Sequence, residues 1–168
     1  MWEPDRPTRL EVDSSGYATG GVLLQKLKKD GLWHPVAFRS QSMIDAERNY
    51  EIYDKEMLAI IRALEDWRHY LEGLPLPFDI ISDHQNLTYW RSAQDLTRRQ
   101  ARWSLYLSRF DFHLTHKPGT ANTQADPLSR ISDHHTADAD DNHAQVVLKP
   151  NHFASLAASS DLDNSTFE

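Results

Sequence analysis

The 168-residue sequence predicts a mixed α/β domain built on a five-stranded sheet, and three observations support this. Asp30-Gly31 separates two strand-like segments, and Asp-Gly is a strong signal for a β-hairpin. The segment 46–71 repeats apolar residues at spacings of three and four, which indicates an amphipathic helix. The segment 78–82 is apolar on both faces, which is typical of a central strand.

The first half of the domain is predicted to be an antiparallel meander of three strands, at 9–13, 22–27 and 32–40. The stretch 14–21 contains three glycines and is predicted to be the turn between the first two strands. Pro35 lacks an amide hydrogen for strand pairing, so we expect the third strand near an edge of the sheet.

The second half is predicted to alternate helices and strands. The long helix ends at Gly73, and the prolines that follow it cannot continue a helix. After the strand at 78–82, the sequence predicts a short helix, an amphipathic helix, a fifth strand and a last helix, at 86–92, 98–110, 110–116 and from near Asp126.

Composition divides the chain into a connector (1–8), one folded domain (9–131) and an acidic polar linker or disordered tail (132–168). The tail carries seven acids and one base, so it accounts for −6 of the net charge of −7. Between residues 91 and 117 the balance reverses, with six bases against two acids. Local charge decides phosphate binding, so the acidic total does not argue against a nucleic-acid partner.

Two absences narrow the function. The chain has no cysteine, which excludes disulfides, thiolate metal sites and cysteine nucleophiles. It also has no apolar run of about 18 residues, so we expect no membrane span.

Four acidic residues at the ends of apolar segments carry the chemical prediction, and three of them have an ordinary explanation. Asp13 has the composition of a strand-end turn. Glu56 lies at the border of the apolar stripe of its helix, where glutamates usually reach into solvent. Asp83 ends the central strand, where α/β sheets often build sites. Asp126 precedes a proline and is expected to cap a helix.

The predicted topology nevertheless allows these four carboxylates to converge. The first and fourth strands can be neighbours, which would place Asp13 and Asp83 at adjacent strand ends. The long helix can bring Glu56 to the same point, and the last helix can present Asp126. Four carboxylates together would repel one another without cations. With two Mg²⁺ ions about 4 Å apart, they would form a centre that cleaves phosphodiesters.

The chain resembles the ribonuclease H domain of reverse transcriptases from gypsy-type long-terminal-repeat retrotransposons, over about residues 5 to 131. The matching stretches are EVDSSGYATGGVLLQ, VAFRSQSM, ERNYEIYDKEMLAIIRALEDWRHYLEG, ISDHQNLTYW, LTRRQARWSLYLSRFDFHLTHKPG and ANTQADPLSR. The resemblance implies a ribonuclease H-like fold. It also implies that the catalytic, metal-binding acids are Asp13, Glu56, Asp83 and Asp126.

The same resemblance implies an endonuclease that cuts the RNA strand of RNA–DNA hybrids during reverse transcription. It implies Mg²⁺ as the cofactor, with Mn²⁺ as a substitute, and polymerase and integrase modules of the same polyprotein as partners. The expected location is the cytoplasmic retrotransposon particle or the nucleus. We expect the isolated domain to be a monomer.

Auxiliary residues are predicted around this centre. His84 and His116 are the nearest candidates for assisting proton transfer or product release, although a lone histidine is more often a hydrogen-bonded surface residue. Candidates for nucleic-acid contacts are basic or aromatic side chains in the positively charged segment: Arg98, Arg99, Arg102 and Tyr89, with Trp103 nearby. Arginines on a solvated helix face and a core tryptophan would explain most of these equally well.

Three alternatives remain at the level of sequence. The domain could be a catalytically inactive tether that binds nucleic acid or joins modules of a polyprotein. It could be an interaction module whose acidic tail does the work. It could also be another nuclease of the same superfold, such as an integrase-like enzyme, which the flanking motifs disfavour.

Overall fold

The computed structural model describes residues 1–82 and 96–116. In that part of the chain, five strands form a single sheet in the order β3-β2-β1-β4-β5. Neighbouring strands β1, β2 and β3 pair antiparallel, whereas β1 with β4 and β4 with β5 pair parallel. The strands are β1 (Thr8–Ser14), β2 (Ala18–Lys26), β3 (Trp33–Ser42), β4 (Phe78–Ser82) and β5 (Phe112–His116). The predicted five-stranded mixed sheet is confirmed.

The sheet order confirms two further predictions. The strand β3, which contains Pro35, lies at an edge of the sheet. The strand β4 lies between β1 and β5, as expected for a segment that is apolar on both faces. The predicted turn at 14–21 was too long, because Gly20 and Gly21 belong to β2 and pair with Asp13 and Val12.

Gly21 is needed for packing, not for a turn. A β-carbon there would lie 3.3 Å from the Arg39 Cγ, which crosses over it from β3. Glycines within strands often mark such close approaches. The three glycines at 14–21 therefore predicted a turn, whereas Gly21 leaves space within β2 for the Arg39 side chain of β3.

The described helices are α1 (Asp45–Arg48), α2 (Ile52–Asp66), α3 (Arg68–Leu71) and α4 (Arg98–Leu107). The prediction of one continuous helix over 46–71 was wrong, because the helix is interrupted at 49–51 and again at Trp67. Glu51 is the N-cap before α2, with a ψ of 153°, and Trp67 has a φ of −107° and is 6% exposed in the core. Apolar spacing shows which residues face the core, but it does not require the helix to be continuous.

The helix α2 packs on one face of the sheet and forms the core with it. Most buried residues of this core come from α2 and from four strands, and they include Met57, Ile60, Ile61, Leu64, Leu10, Val12, Leu23, Phe78, Ile80, Phe112 and Leu114. Because every position of α2 from 56 to 64 is buried, the helix is enclosed between the sheet and other elements.

The segment before β1 contacts the domain. The Trp2 ring packs on Tyr70 with centroids 4.7 Å apart. The Gln25 side chain accepts a hydrogen bond from the Glu3 amide at 3.1 Å and donates one to the Glu3 carbonyl at 2.8 Å. At the other end of the described chain, α4 and β5 are shorter than predicted, since Leu107 ends the helix and Phe112 begins the strand.

Two predicted helices, at 86–92 and from near Asp126, lie outside the described residues. In the ranges 1–82 and 96–116, no helix combines the length and the apolar character needed to cross a membrane.

Candidate active site

The candidate site lies where β1 and β4 end side by side. Their parallel register pairs Leu10 with Ile80 and Glu11 with Ile81, so Asp13 comes at the end of β1 next to the end of β4. Asp13 is 5% exposed, and across the hairpin it pairs with Gly20 of β2. Since the carboxyl ends of parallel strands meet at one edge of a sheet, Asp13 occupies the position that sites in α/β proteins commonly use.

Glu56 on α2 reaches the same strand ends. Its Oε2 accepts a hydrogen bond from the Ser82 hydroxyl at 3.3 Å, and its Oε1 accepts one from the Ser14 hydroxyl. Glu56 is 1% exposed, so the interpretation of a solvent-facing glutamate is wrong. The border of the apolar stripe faces the sheet edge here, where hydroxyls can stabilise a buried carboxylate.

The two serines link Glu56 to the other predicted ligands along the chain. Ser14 directly follows Asp13, and Ser82 directly precedes Asp83. The sequence did not single out either serine. Their position beside two of the four acids was the signal that could have found them.

His116 is the last residue of β5, at the same end of the sheet as the ends of β1 and β4. In the parallel pairing of β4 and β5, His116 is the partner of Ser82, whose hydroxyl donates to Glu56. Neighbouring residues in register point to the same face of a sheet. The half-buried His116 is therefore placed beside the site, as one of the two predicted auxiliary histidines.

Four predicted site residues, Asp83, His84, Tyr89 and Asp126, lie outside the described residues. Within 1–82 and 96–116, no group of three or more histidine, aspartate or glutamate side chains is arranged to hold a metal ion. That part of the chain contains two of the four predicted ligands. Both supply carboxylate oxygens, the donor type that Mg²⁺ prefers, so the residues present fit such a cation.

The predicted nucleic-acid contacts on α4 divide into two kinds. Arg98 and Arg102 are exposed and four residues apart, so they lie on one face of the helix. Arg99 instead turns inward, and its Nη2 donates to the Asp54 Oδ2 on α2. Trp103 is half-buried and packs against the core, and its ring lies 6.3 Å from that of Tyr50.

Asp54 is a buried acid that the sequence analysis missed. It is 2% exposed and accepts hydrogen bonds from Arg99 and from the Gln100 Nε2, the latter at 3.0 Å. A signal existed, because Asp54 stands seven residues before Ile61 and so falls on the apolar side of the helix.

Comparison with known proteins places the chain in a family. Residues 3–110 match the family described as the RNase H-like domain found in reverse transcriptase. The chain belongs to this family, and its five-stranded sheet is the RNase H-like fold.

Similar sequences narrow the family to retrotransposon polyproteins. The chain is 47% identical over 126 residues to the transposon Tf2-3 and Tf2-4 polyproteins of Schizosaccharomyces pombe. That alignment covers 74% of this chain and 9% of each polyprotein. The family and these relatives confirm the resemblance to retrotransposon ribonuclease H domains.

Solved structures share the fold at low sequence identity. The foamy viral protease-reverse transcriptase in complex with dsDNA matches with a TM-score of 0.56 and 15% identity, over 71% of this chain and 25% of that one. The same viral protein in complex with an RNA/DNA hybrid matches with a TM-score of 0.54 and 16% identity, over 83% of this chain and 18% of that one.

Proposed function

We propose that this domain is a metal-dependent endonuclease that cleaves the RNA strand of RNA–DNA hybrids during reverse transcription of a retrotransposon. One observation carries the proposal. The buried Glu56 carboxylate accepts hydrogen bonds from the serines that adjoin Asp13 and Asp83 in the chain, at the ends of two parallel strands. Buried carboxylates are costly, and their collection at one sheet edge is expected where a cation is bound.

The ligands in this proposal are Asp13, Glu56, Asp83 and Asp126. Asp83 directly follows Ser82, the last residue of β4, in the chain. Asp126 enters on the resemblance alone. The chemistry that divalent cations supply at such a site is activation of water for attack on phosphorus and neutralisation of charge at the leaving oxygen. We propose Mg²⁺, with Mn²⁺ as a substitute.

In this proposal the protein side chains hold the cations and orient the carboxylates that bind them. The hydroxyls of Ser14 and Ser82 fix the Glu56 carboxylate, as partners of a metal ligand commonly do. His116, beside Ser82, is proposed to assist proton transfer or product release, with His84 as the other candidate.

The substrate contacts are proposed on α4 and beyond it. The exposed Arg98 and Arg102 can reach phosphates of a bound hybrid, and Tyr89 is proposed to contact a phosphate or sugar. The strand to be cut would be selected through its 2′-hydroxyls and the shape of the hybrid, not through base sequence. The structural match to a reverse transcriptase solved with an RNA/DNA hybrid supports this substrate class.

The chain covers 9% of the polyproteins that it matches, so the whole-protein context is also a proposal. We propose polymerase and integrase modules as partners in the same polyprotein, and action in the cytoplasmic retrotransposon particle or the nucleus. The tail at 132–168 is not required for cleavage in this proposal.

The test is a gel assay of the 168-residue chain on a labelled RNA–DNA hybrid, with and without Mg²⁺, against duplex RNA and duplex DNA. We expect Mg²⁺-dependent cuts in the RNA strand of the hybrid alone. Asp13→Asn should abolish them, and calorimetry should show a loss of Mg²⁺ affinity. A wild-type chain that binds hybrid but neither cuts it nor binds Mg²⁺ would identify an inactive tether instead.

A further inference from the structure

The first turns of α2 carry two buried carboxylates, and the nuclease proposal uses one of them. Glu56 faces the strand ends, whereas Asp54 is held by α4. One Asp54 oxygen accepts from the Arg99 guanidinium, and the other accepts from the Gln100 amide at 3.0 Å. Both oxygens are thus engaged by donors from a single helix. Asp54 is committed to α4 and is not available as a metal ligand.

Gln100 joins this contact to the beginning of α4. Its side-chain Oε1 accepts a hydrogen bond from the Thr97 backbone amide at 2.9 Å, and the Gln100 backbone amide donates to the Thr97 hydroxyl at 3.3 Å. These two bonds form a capping box, which determines where the helix begins. Because the same side chain donates to Asp54 and is 1% exposed, the start of α4 is attached to the start of α2.

Arg99 is enclosed on its other side by aromatic rings. Its guanidinium carbon lies 3.8 Å from the Tyr50 ring centroid and 5.5 Å from that of Trp103. Among the described residues, its Nε is buried without a hydrogen-bond partner. A guanidinium held in this way has little freedom to move, so its ion pair with Asp54 has a defined geometry.

We propose that Asp54, Arg99 and Gln100 are positioning residues that hold the exposed face of α4 in register with the carboxylate site at Glu56. This inference rests on the proposed nuclease function. Asp54 and Glu56 are two residues apart, so they are separated by about 3 Å along one rigid helix. The contact at Asp54 therefore sets where Arg98 and Arg102 stand relative to Glu56. These three residues touch neither substrate nor cation.

The experiment compares wild type with Asp54→Asn, which keeps the size of the side chain and removes the charge that faces Arg99. We expect kcat on a hybrid to fall by about tenfold to a hundredfold, because small misplacement of a reacting group has effects of that size. Hybrid affinity, measured by anisotropy without divalent cation, and Mg²⁺ affinity, measured by calorimetry, should stay close to wild type. Cuts on an end-labelled hybrid should spread to neighbouring phosphodiesters.

Two variants complete the design. Glu65→Gln changes an exposed acid on the same helix and should leave kcat and the cut positions unchanged. Arg99→Lys keeps the charge next to Asp54 but loses the planar fork, and it should show a smaller fall in kcat. If circular dichroism shows that Asp54→Asn does not fold, Arg99→Lys takes its place in every measurement.

The outcomes separate this proposal from the one on which it rests. If wild type does not cleave the hybrid, the nuclease proposal fails. If wild type cleaves and the variant melts at lower temperature but keeps wild-type kcat and cut positions while folded, Asp54 is only structural and the positioning proposal is wrong. If the variant instead loses Mg²⁺ affinity, Asp54 acts on the ligands and the proposal is also overturned.

Discussion

Asp54 and Glu56 are both buried acids on α2, yet they accept hydrogen bonds from different elements. Asp54 meets a charged guanidinium and an amide from α4, and Glu56 meets two serine hydroxyls at the ends of β1 and β4. Each is at most 2% exposed. Burial alone therefore does not distinguish these two carboxylates; the elements that supply their hydrogen-bond partners do.

The difference implies opposite consequences when each charge is removed. An arginine–carboxylate pair between two helices holds the fold, and breaking it leaves the other charge uncompensated. A carboxylate held by neutral hydroxyls at a sheet edge should matter for cation binding more than for folding. Variants on α2 and α4 can test this contrast.

The largest expected effect is that of Glu56→Gln on catalysis. The amide keeps the shape but cannot balance a cation, so Mg²⁺-dependent cleavage should fall by more than about a hundredfold, the scale seen when a charge-stabilising group is lost. Urea denaturation without metal should show an unfolding free energy no lower than that of wild type. Retained turnover would show that Glu56 is not a ligand.

Asp54→Ala should have the largest effect on stability. It leaves Arg99 and Gln100 without their acceptor, and we expect a loss of about 3 kcal/mol, the lower end for a broken buried pair. The lower end applies because the Arg99 side chain keeps 31% of its surface exposed. The measurement is urea denaturation, with Arg99→Met in a double-mutant cycle. Additive losses would mean that the two residues do not form one unit.

Thr97→Ala should have a moderate effect on stability. It removes the N-cap hydroxyl of α4, which accepts from the Gln100 backbone amide, and loss of such a cap costs about 1 kcal/mol. Thr97→Ser keeps the acceptor and is the matched control. Equal stability of the alanine and serine variants would show that the cap contributes nothing.

Arg98→Ala combined with Arg102→Ala should leave stability nearly unchanged, because both side chains are exposed. The variant should bind hybrid more weakly, and the slope of log affinity against log salt should become shallower by about 2. An unchanged slope would exclude these two arginines as phosphate contacts.

The smallest effect is expected at Glu65, an exposed acid on the same helix. The pKa of the Glu65 carboxyl is raised above its usual value, mainly because part of the carboxyl is shielded from water and secondly because the negative charge of Asp66 repels it. A raised folded-state pKa favours the protonated form in the native protein, so this group lowers stability as pH rises through that range. Glu65→Gln should be slightly more stable than wild type at pH 7. The difference should vanish at a pH below the ordinary glutamate pKa, as measured by thermal melts.

The sequence predicted the sheet closely because its signals are local. Asp30-Gly31 marks a hairpin through its own backbone preferences, and the apolar run at 78–82 marks a strand buried on both sides. The same logic predicted the neighbouring ends of β1 and β4, and so the position of Asp13. It failed at Gly20 and Gly21, since the need for room beside Arg39 comes from another strand.

The continuity of a helix and the different surroundings of Arg98 and Arg99 depend on residues far away in the sequence. Periodicity could not reveal the breaks at 49–51 and Trp67, and it could not distinguish Arg99 from Arg98. Their exposure differs because Arg99 faces a carboxylate 45 residues earlier in the chain. A one-dimensional pattern contains no information about such a partner.

By itself, the amino-acid sequence determined the family, the five-stranded mixed sheet and the identity of the acids placed at the ends of apolar segments. Only the tertiary structure decided that Glu56 would meet the serines of two strand ends while Asp54, two residues away, would meet α4. The physical reason is that helical geometry separates residues two apart by about 200°. Each carboxylate therefore acquires its partners from the element that packs on its side.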